Sequence, residues 1–509
     1  LVLTSITTQI DAQSQFSPYY GKNRVKYDKF DWHIYTTDHF EIYYYPELEQ
    51  HLERVASYAE SAYQQVSADL QHELAFVVPL ILFKTHSEFE QQNIIPGFIP
   101  DGVGAFAEPQ RNRIVLPIDE PPDGLYRLIT HELTHIFEFD IIPRSIIRET
   151  VPLWADEGLS DYMAGVWRPL DLMQVRDVVV SDIIPSMTEF DRYGGFASGR
   201  VVYNLGHAVF EFMEERWGNE GIRQFLFALR RSAIGGGEDA YEEAFDLSGP
   251  EFDDAFKKYL EDRFEVFRDK ERPSDYGRNL APDPLRSRYV VMLSLEGSPS
   301  GEVIAALALN RKDLEFDILL ISSETGEVIR NLTEGFDQDL GFESIPIPGE
   351  RFNTVPWMSW APSGDELAYF VRKGKHRSLI VQNIITRGIT DFIDLEMVDE
   401  PESPDISPDG RTVVFSALNG AIGDIYVLDL PTQEVTNLTE DEFANYAPFY
   451  APDGSYIVYT ARISGNNKLF KLDLTTHVKT QLTFGTHDEA GGQFIDDRTI
   501  VFSSTAVDP

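Results

Sequence analysis

Ser407-Pro-Asp-Gly410, followed by the apolar run Thr412-Val-Val-Phe415, decides the fold of the C-terminal half. The same unit stands at Ala361-Pro-Ser-Gly364 before Glu366-Leu-Ala-Tyr-Phe370, and at Ala451-Pro-Asp-Gly454 before Tyr456-Ile-Val-Tyr459. Its glycines are spaced by 46 and 44 residues. Proline at the first central position and glycine at the end describe a tight turn joining two strands. Pro299-Ser-Gly301 and Asp496-Asp-Arg498 are weaker copies at the two ends. Each unit closes on a second repeated element: Asn331-Leu-Thr333, Asn437-Leu-Thr439 and Gln481-Leu-Thr483. A period in the mid-forties with four short strands per unit predicts propeller blades, about four here and the start of a fifth. The two Asn-Leu-Thr copies also match a glycosylation sequon, but their fixed place in the repeat predicts a blade element. An open propeller leaves strand edges unpaired, so more blades are expected beyond Pro509.

These repeats resemble the TolB-like propellers over roughly 290–509, on the turn seen most clearly at Ser407–Gly410. The resemblance implies an architecture rather than a chemistry. Before it, 271–285 is polar and rich in proline and charge, as linkers are. Residues 15–120 mix strands with one helix. Trp32–Thr37 and Phe40–Tyr45 alternate as a hairpin across Asp38-His39, and Leu52, Val55, Ala56, Ala59, Ala62, Tyr63, Val66 and Leu70 lie at helical spacing. Phe76–Phe83, Gly104–Ala107 and Arg113–Pro117 read as further strands. Residues 121–270 are mostly helical, with helices expected through Leu125–Phe139, Trp154–Met163 and Arg200–Trp217, and a last one capped at Ser248.

The first of those helices carries His131-Glu-Leu-Thr-His135. Residues i and i+4 share a helix face, so both imidazoles can reach one ion, and Glu132 can address a water there. Glu157 follows His135 by 22 residues, inside Trp154-Ala-Asp-Glu-Gly-Leu159. That is enough chain for a returning helix, which completes a two-His, one-Glu set for one Zn2+ per chain with a coordination position left open. Asp161, one turn beyond Glu157, can accept the second ring N–H of a ligand histidine. A zinc ion so held makes water acidic enough to attack a carbonyl at neutral pH, with Glu132 as the base.

Over about 30–270 the sequence is similar to the gluzincin zinc metallopeptidases, and within them to the "peptidase MA-like" family, on His131–His135 and Trp154–Leu159. The resemblance implies a thermolysin-like zincin domain of α+β class, so the chain is expected to be multidomain: that zincin, then an all-β propeller, incomplete in this chain. It implies zinc on His131, His135 and Glu157, and Glu132 as catalytic base. It places a tyrosine on the helix of Tyr203-Asn-Leu-Gly206, which makes Tyr203 the first candidate to stabilise the oxyanion. His207 is the second and Tyr193 the third. Gly104, Ala105 and Phe106 would form the edge strand that pairs with substrate backbone. Ala107 stands where gluzincin aminopeptidases carry their amine-binding glutamate, which favours an endopeptidase.

Composition bounds the rest. Lys+Arg total 43 against 84 Asp+Glu, a net charge of −41, which excludes nucleic acid and anionic lipid as partners. Lysine is scarce, 13 against 30 arginines, as in proteins kept soluble in salty surroundings. The absence of cysteine excludes disulfides and thiolate chemistry. No run approaches the length of a transmembrane helix. The apolar start Leu1–Ile6 with Ala12 and Ser14 reads as the remnant of a signal peptide over 1–14, which predicts a periplasmic or extracellular protein, with the outer membrane as one place of attachment. The sequence thus predicts a secreted zinc peptidase acting on peptides or proteins, with a propeller over 286–509 for docking substrate or an envelope partner. The alternative is a non-catalytic envelope scaffold that works through the propeller.

Overall fold

The computed structural model describes residues 29–89, 91–92, 94, 103–120, 122–142, 151–165, 167–192, 199–233, 239–271, 273–280, 288–312, 316–335, 341–342, 358–373, 376–419, 422–441 and 443–506. The expected signal remnant at 1–14 and the Tyr193 candidate lie outside them. Alternation of apolar residues builds a five-stranded sheet first. Strands β1 (His33–Thr36) and β2 (Phe40–Tyr44) pair antiparallel, and β2 runs parallel to β3 (Val78–Phe83). Helix α1 (Leu52–Leu70) makes the connection and buries the stripe read from its sequence, Leu52 through Leu70. A single turn, α2 (His86–Phe89), follows β3. The sheet is completed by β4 (Phe106–Glu108) and β5 (Arg113–Pro117) in the order β1-β2-β3-β5-β4. Strand β5 runs parallel to β3 and antiparallel to β4, so β4 is an antiparallel edge.

The edge strand begins later than the sequence suggested. Gly104 and Ala105 precede it, and only Phe106 of the expected trio lies in β4. The register Phe106↔Val115 would set Gly104 opposite Pro117, which has no N–H to donate. The Glu108 carboxylate is committed to Arg113, at 2.7 Å, and to the backbone of Gln110.

The helical part comprises α3 (Pro122–Ile141), α4 (Leu153–Met163), α5 (Pro169–Val180), α6 (Gly199–Ala233), α7 (Ala240–Phe245) and α8 (Gly249–Phe264). Within α6 the helix breaks at Gly218, φ 70°, so its first segment ends at Trp217 as expected. Helix α8 opens on a capping box between Ser248 and Glu251. Helix α5 had no apolar stripe to announce it. Its buried face starts with a carboxylate, Asp171, which shortens the apolar repeat to Val175, Val178 and Val179. One continuous apolar core joins sheet and helices, from Phe40 to Phe264.

The C-terminal half is strand-rich and β-propeller-like. Four-stranded antiparallel sheets form from β6–β9 (Tyr289–Gly297, Val303–Asn310, Phe316–Ser322, Val328–Asn331) and from β15–β18 (Glu400–Ile406, Thr412–Asn419, Ile422–Asp429, Glu434–Asn437). A third comprises β19–β22 (Ala444–Tyr450, Tyr456–Ile463, Asn466–Asp473, Lys479–Gln481). The sheet between the first two differs: β10 (Gly341–Phe342) and β11 (Met358–Trp360) both pair with β12 (Glu366–Lys373), followed by β13 (His376–Asn383) and β14 (Ile389–Asp394). A hairpin, β23–β24 (Glu489–Asp496, Thr499–Ser504), comes last.

The two repeated motifs act at two points of each blade. Gly364, Gly410 and Gly454 have φ of 76°, 72° and 71°, and each N–H donates to the carbonyl three residues back, at 2.8 Å. That left-handed turn joins the first and second strands, and it favours glycine because a Cβ would be strained there. The Asn-Leu-Thr element closes the other side. Thr333 and Thr439 accept, through Oγ1, the N–H of Ile318 and Ile425, both at 3.0 Å, so the outer strand is pinned to the third. Asn331 and Asn437 accept from the backbone N–H of Thr333 and Thr439. The asparagines are therefore built into the blade.

Neighbouring sheets are joined through Asp405, whose carboxylate accepts from Tyr450 N at 2.7 Å and from Ser359 Oγ at 3.2 Å. Burial pushes its pKa up to about 6 against those hydrogen bonds. Glu296 is lifted to about 8 by burial and by Asp405. A carboxyl raised on folding contributes stability that is complete below its unfolded value and is lost as pH rises through its folded one. The propeller should therefore lose stability between about pH 4 and pH 8. Asp405→Asn should remove roughly 2–3 kcal/mol of that loss and leave only the part of the Glu296 shift that comes from burial. Denaturant titrations across this pH range check it; an unchanged slope in the variant refutes it.

Candidate metal centre

Helix α3 presents His131 and His135 on one face, and α4 returns beside it with Glu157. Their inward atoms converge. His131 Nε2 lies 3.3 Å from His135 Nε2 and 3.3 Å from Glu157 Oε2, and His135 Nε2 lies 3.5 Å from Glu157 Oε2. A tetrahedral ion bound at about 2.0–2.1 Å sets its ligand atoms about 3.3–3.4 Å apart. The triangle fits a zinc ion. Two imidazole nitrogens facing each other at this distance would repel if both carried protons, and a shared cation relieves that.

The outward nitrogens are held too. His131 Nδ1 meets Asp161 Oδ1 at 3.0 Å, and His135 Nδ1 meets Asp156 Oδ1 at 2.8 Å, with Ser160 Oγ at 3.2 Å. A carboxylate behind each ring leaves Nε2 as the nitrogen for the ion. Burial opposes charge on both rings but is outweighed: hydrogen bonds to Asp161 and Glu157 hold His131 up to about 9, and Asp156 holds His135 well above the usual range. Burial would raise Glu157 and Asp161 likewise. The two histidines bring Glu157 down to about 2, and Arg200 with His131 brings Asp161 well below the carboxylate range.

Glu132 is buried, and burial lifts its pKa in spite of the histidines beside it. Its carboxylate takes no hydrogen bond from a described residue, which leaves it to address a bound molecule.

The other candidates divide. Tyr203 is half-buried on α6, with the Arg200 guanidinium 5.4 Å from its ring centre. His207 is buried against Trp167, stacked at 3.9 Å, and edge-on to Tyr162 at 5.9 Å. Burial lowers its pKa to about 3, so it stays neutral. It lies outside the triangle of ligand atoms. Gly104, ahead of β4, approaches α3 at Leu128.

Sequence reasoning named Asp161 but missed Asp156, Arg200 and Asp171. Arg200 reaches Asp161 at 2.8 Å and Asp171 at 3.4 Å, and Asp171 also takes Arg168 at 2.9 Å. Asp156 could have been found, because it adjoins Glu157 and faces the earlier helix. Arg200 and Asp171 carry no spacing signal relative to His131.

What lets α4 and α6 come close enough for this is glycine on both sides. A Cβ on Gly158 would lie 2.5 Å from the Gly206 backbone, and one on Gly206 would lie 2.2 Å from Trp154 O. Gly158 directly follows Glu157, and Gly206 lies on the helix of Tyr203.

Residues 352–507 match the TolB beta propeller domain family. The match leaves residues 1–351 outside it. No curated protein matches the chain. Among solved structures, the chain is similar to TolB from Acinetobacter baumannii at 18% identity and a TM-score of 0.29, over 40% of this chain and 43% of that one. It is similar to the hydrazine synthase of Kuenenia stuttgartiensis at 17% identity and a TM-score of 0.28, over 43% of this chain and 54% of that one. Dipeptidyl peptidase 4 of Porphyromonas gingivalis gives 13% identity and a TM-score of 0.29, over 40% of this chain and 34% of that one.

Alanine for glycine inside a helix ordinarily gains about 1 kcal/mol. At Gly206 the clash reverses the sign, and Gly206→Ala should cost about 1–3 kcal/mol. Gly277→Ala, with open space around its Cβ, should be close to neutral. Urea unfolding of the two variants beside the parent chain measures the difference.

Proposed function

We propose that the chain is a zinc-dependent metallopeptidase of the gluzincin type whose propeller docks substrate or a partner protein at the cell envelope. One observation carries the proposal: His131 Nε2, His135 Nε2 and Glu157 Oε2 form a triangle of zinc-ligand dimensions with buried Glu132 beside it. A structural site would need the three ligands but not a further buried carboxylate at their side. Zinc, when bound, supplies a Lewis acid that acidifies water and polarises a carbonyl.

The protein's own groups do the rest. Glu132, raised by burial, takes the proton of the attacking water and returns it to the leaving amine. Asp161 and Asp156 keep the two rings turned so that both Nε2 atoms point inward. Tyr203 is the candidate hydrogen-bond donor to the developing oxyanion, since His207 is enclosed by Trp167 and Tyr162. The edge strand β4 offers backbone groups to an extended peptide, which favours cleavage within a chain. Blade residues pair with the N-terminal half at two points: Arg462 with Asp123, in the first turn of the helix that carries His131, at 2.5 Å, and Lys84 with Asp399 at 3.2 Å. A propeller attached there is placed to influence what reaches the site.

A second reading, an envelope scaffold acting through the propeller alone, is favoured by the family match, which is confined to 352–507. Elemental analysis and a peptide-hydrolysis assay separate the two. The peptidase reading expects about one zinc per chain, lost in His135→Ala, and retention of zinc by Glu132→Gln with hydrolysis reduced about 10²–10⁴-fold. A chain that takes up no zinc on remetallation, or peptide hydrolysis undiminished by the Glu132→Gln substitution, would overturn it.

A further inference from the structure

In a chain of net charge −41, three arginines line one open cavity of about 540 Å³ between the first two blades. Arg288 stands just ahead of β6, Arg330 lies on β9, and Arg387 lies in the turn between β13 and β14. Glu334 is the one carboxylate among the lining residues, and Tyr289 and Ile329 add an apolar wall.

The charges of the three guanidinium groups are not neutralised by their contacts. Arg330 donates to the backbone carbonyls of Ile384, at 3.0 Å, and Ile385. Arg387 donates to those of Leu332, at 3.3 Å, and Glu334. Arg288 lies beside the Tyr289 ring, 5.6 Å from its centre. Among the described residues none of the three forms an ion pair with a carboxylate. Neutral partners fix the orientation of Arg330 and Arg387 while leaving their charge to be met by something else.

Nor does the fold require arginine there. Arg387 has φ 64°, but the corresponding turns of the other blades put Gly326, Gln433 and His477 at the same left-handed position. The turn asks for that backbone conformation and is indifferent to the side chain. Arg330 precedes Asn331, where the sheet of β15–β18 has Thr436 before Asn437. Arginine at both positions, converging with Arg288 on one cavity, is an added feature of these two blades.

We propose that this cavity is a binding site for a compact multivalent oxyanion, a phosphate or a polycarboxylate, held by Arg288, Arg330 and Arg387. The planar guanidinium fork matches both anions bidentately, and the acidic surroundings select for a ligand that fits the arginines closely rather than for any polyanion. The site is separate from the zinc centre and does not rest on peptidase activity.

Titration calorimetry on the whole chain at low ionic strength, with inorganic phosphate and separately with malonate, tests it; chloride is the control. Saturable binding of one anion per chain is expected, weakening as salt rises. Arg288→Gln should lower the affinity at least about tenfold. Arg288 is exposed and its side chain makes no hydrogen bond within the described residues, so the fold should be unaffected. Arg387→Gly, which copies the first blade's Gly326, should do the same. A response to phosphate alone, or to malonate alone, identifies which source supplies the oxyanion. No saturable binding of either anion overturns the proposal. So does binding that survives both substitutions, as binding at the metal centre would.

Discussion

The N-terminal half depends on one close approach, the crossing of α4 over α6 at Gly158 and Gly206. With no side chain at either position the two backbones touch. Everything chemical follows from that distance. Glu157 adjoins the contact and faces the imidazoles of α3, and Asp161, one turn beyond it, is pressed between His131 and the guanidinium of Arg200 on α6. A helix pair held apart by an ordinary side chain would leave Asp161 short of one partner or the other. A carboxylate held ionised in the interior needs a paired cation, and Asp161 has two, so the glycines are in effect a condition for the electrostatics.

Those electrostatics form an alternating chain. Asp171 holds Arg200, Arg200 holds Asp161, Asp161 holds His131, and His131 faces Glu157. Each charge is buried or nearly so and lies beside its opposite, so the network stands or falls as a unit. Its open end is at His131 and His135, where two imidazoles point at one spot. The chain of charges therefore terminates in a place suited to a cation, with the second carboxylate, Asp156, completing the orientation of His135.

The propeller is specified in the opposite manner, by local devices repeated rather than by one long-range contact. A left-handed glycine ends each first turn and a threonine hydroxyl caps the third strand. This is why the blades were legible in the sequence: turn chemistry is written in consecutive residues. The convergence of His131, His135 and Glu157 was legible for a related reason, because helical spacing puts His131 and His135 on one face and the next helix returns Glu157 beside them. What the sequence hid depends on tertiary partners. Arg200 and Asp171 meet Asp161 only because α5 and α6 pack there. Asp171 also disguised α5, since a buried carboxylate interrupts an apolar stripe. The late start of β4 turned on Pro117, a residue of the neighbouring strand. The paired β10 and β11 carry no motif that would mark both as partners of β12.

Arginine is what links these separate pieces of logic. The chain uses it where a cation is held by several bonds: Arg200 between two carboxylates, Arg462 reaching Asp123 from the sheet of β19–β22, and Arg330 and Arg387 crossing between blades to backbone carbonyls. Lysine, a point charge on a flexible stem, is rare in the sequence. A strongly acidic protein meets a repulsive cost whenever it brings two of its surfaces together. Few cations are present to offset it. An exposed ion pair is worth little, but Arg462 and Lys84 are partly buried where the halves meet, and there a single cation opposes the repulsion of both. The placement of its scarce positive charges is therefore a guide to where this protein holds itself together and to where it can hold something else.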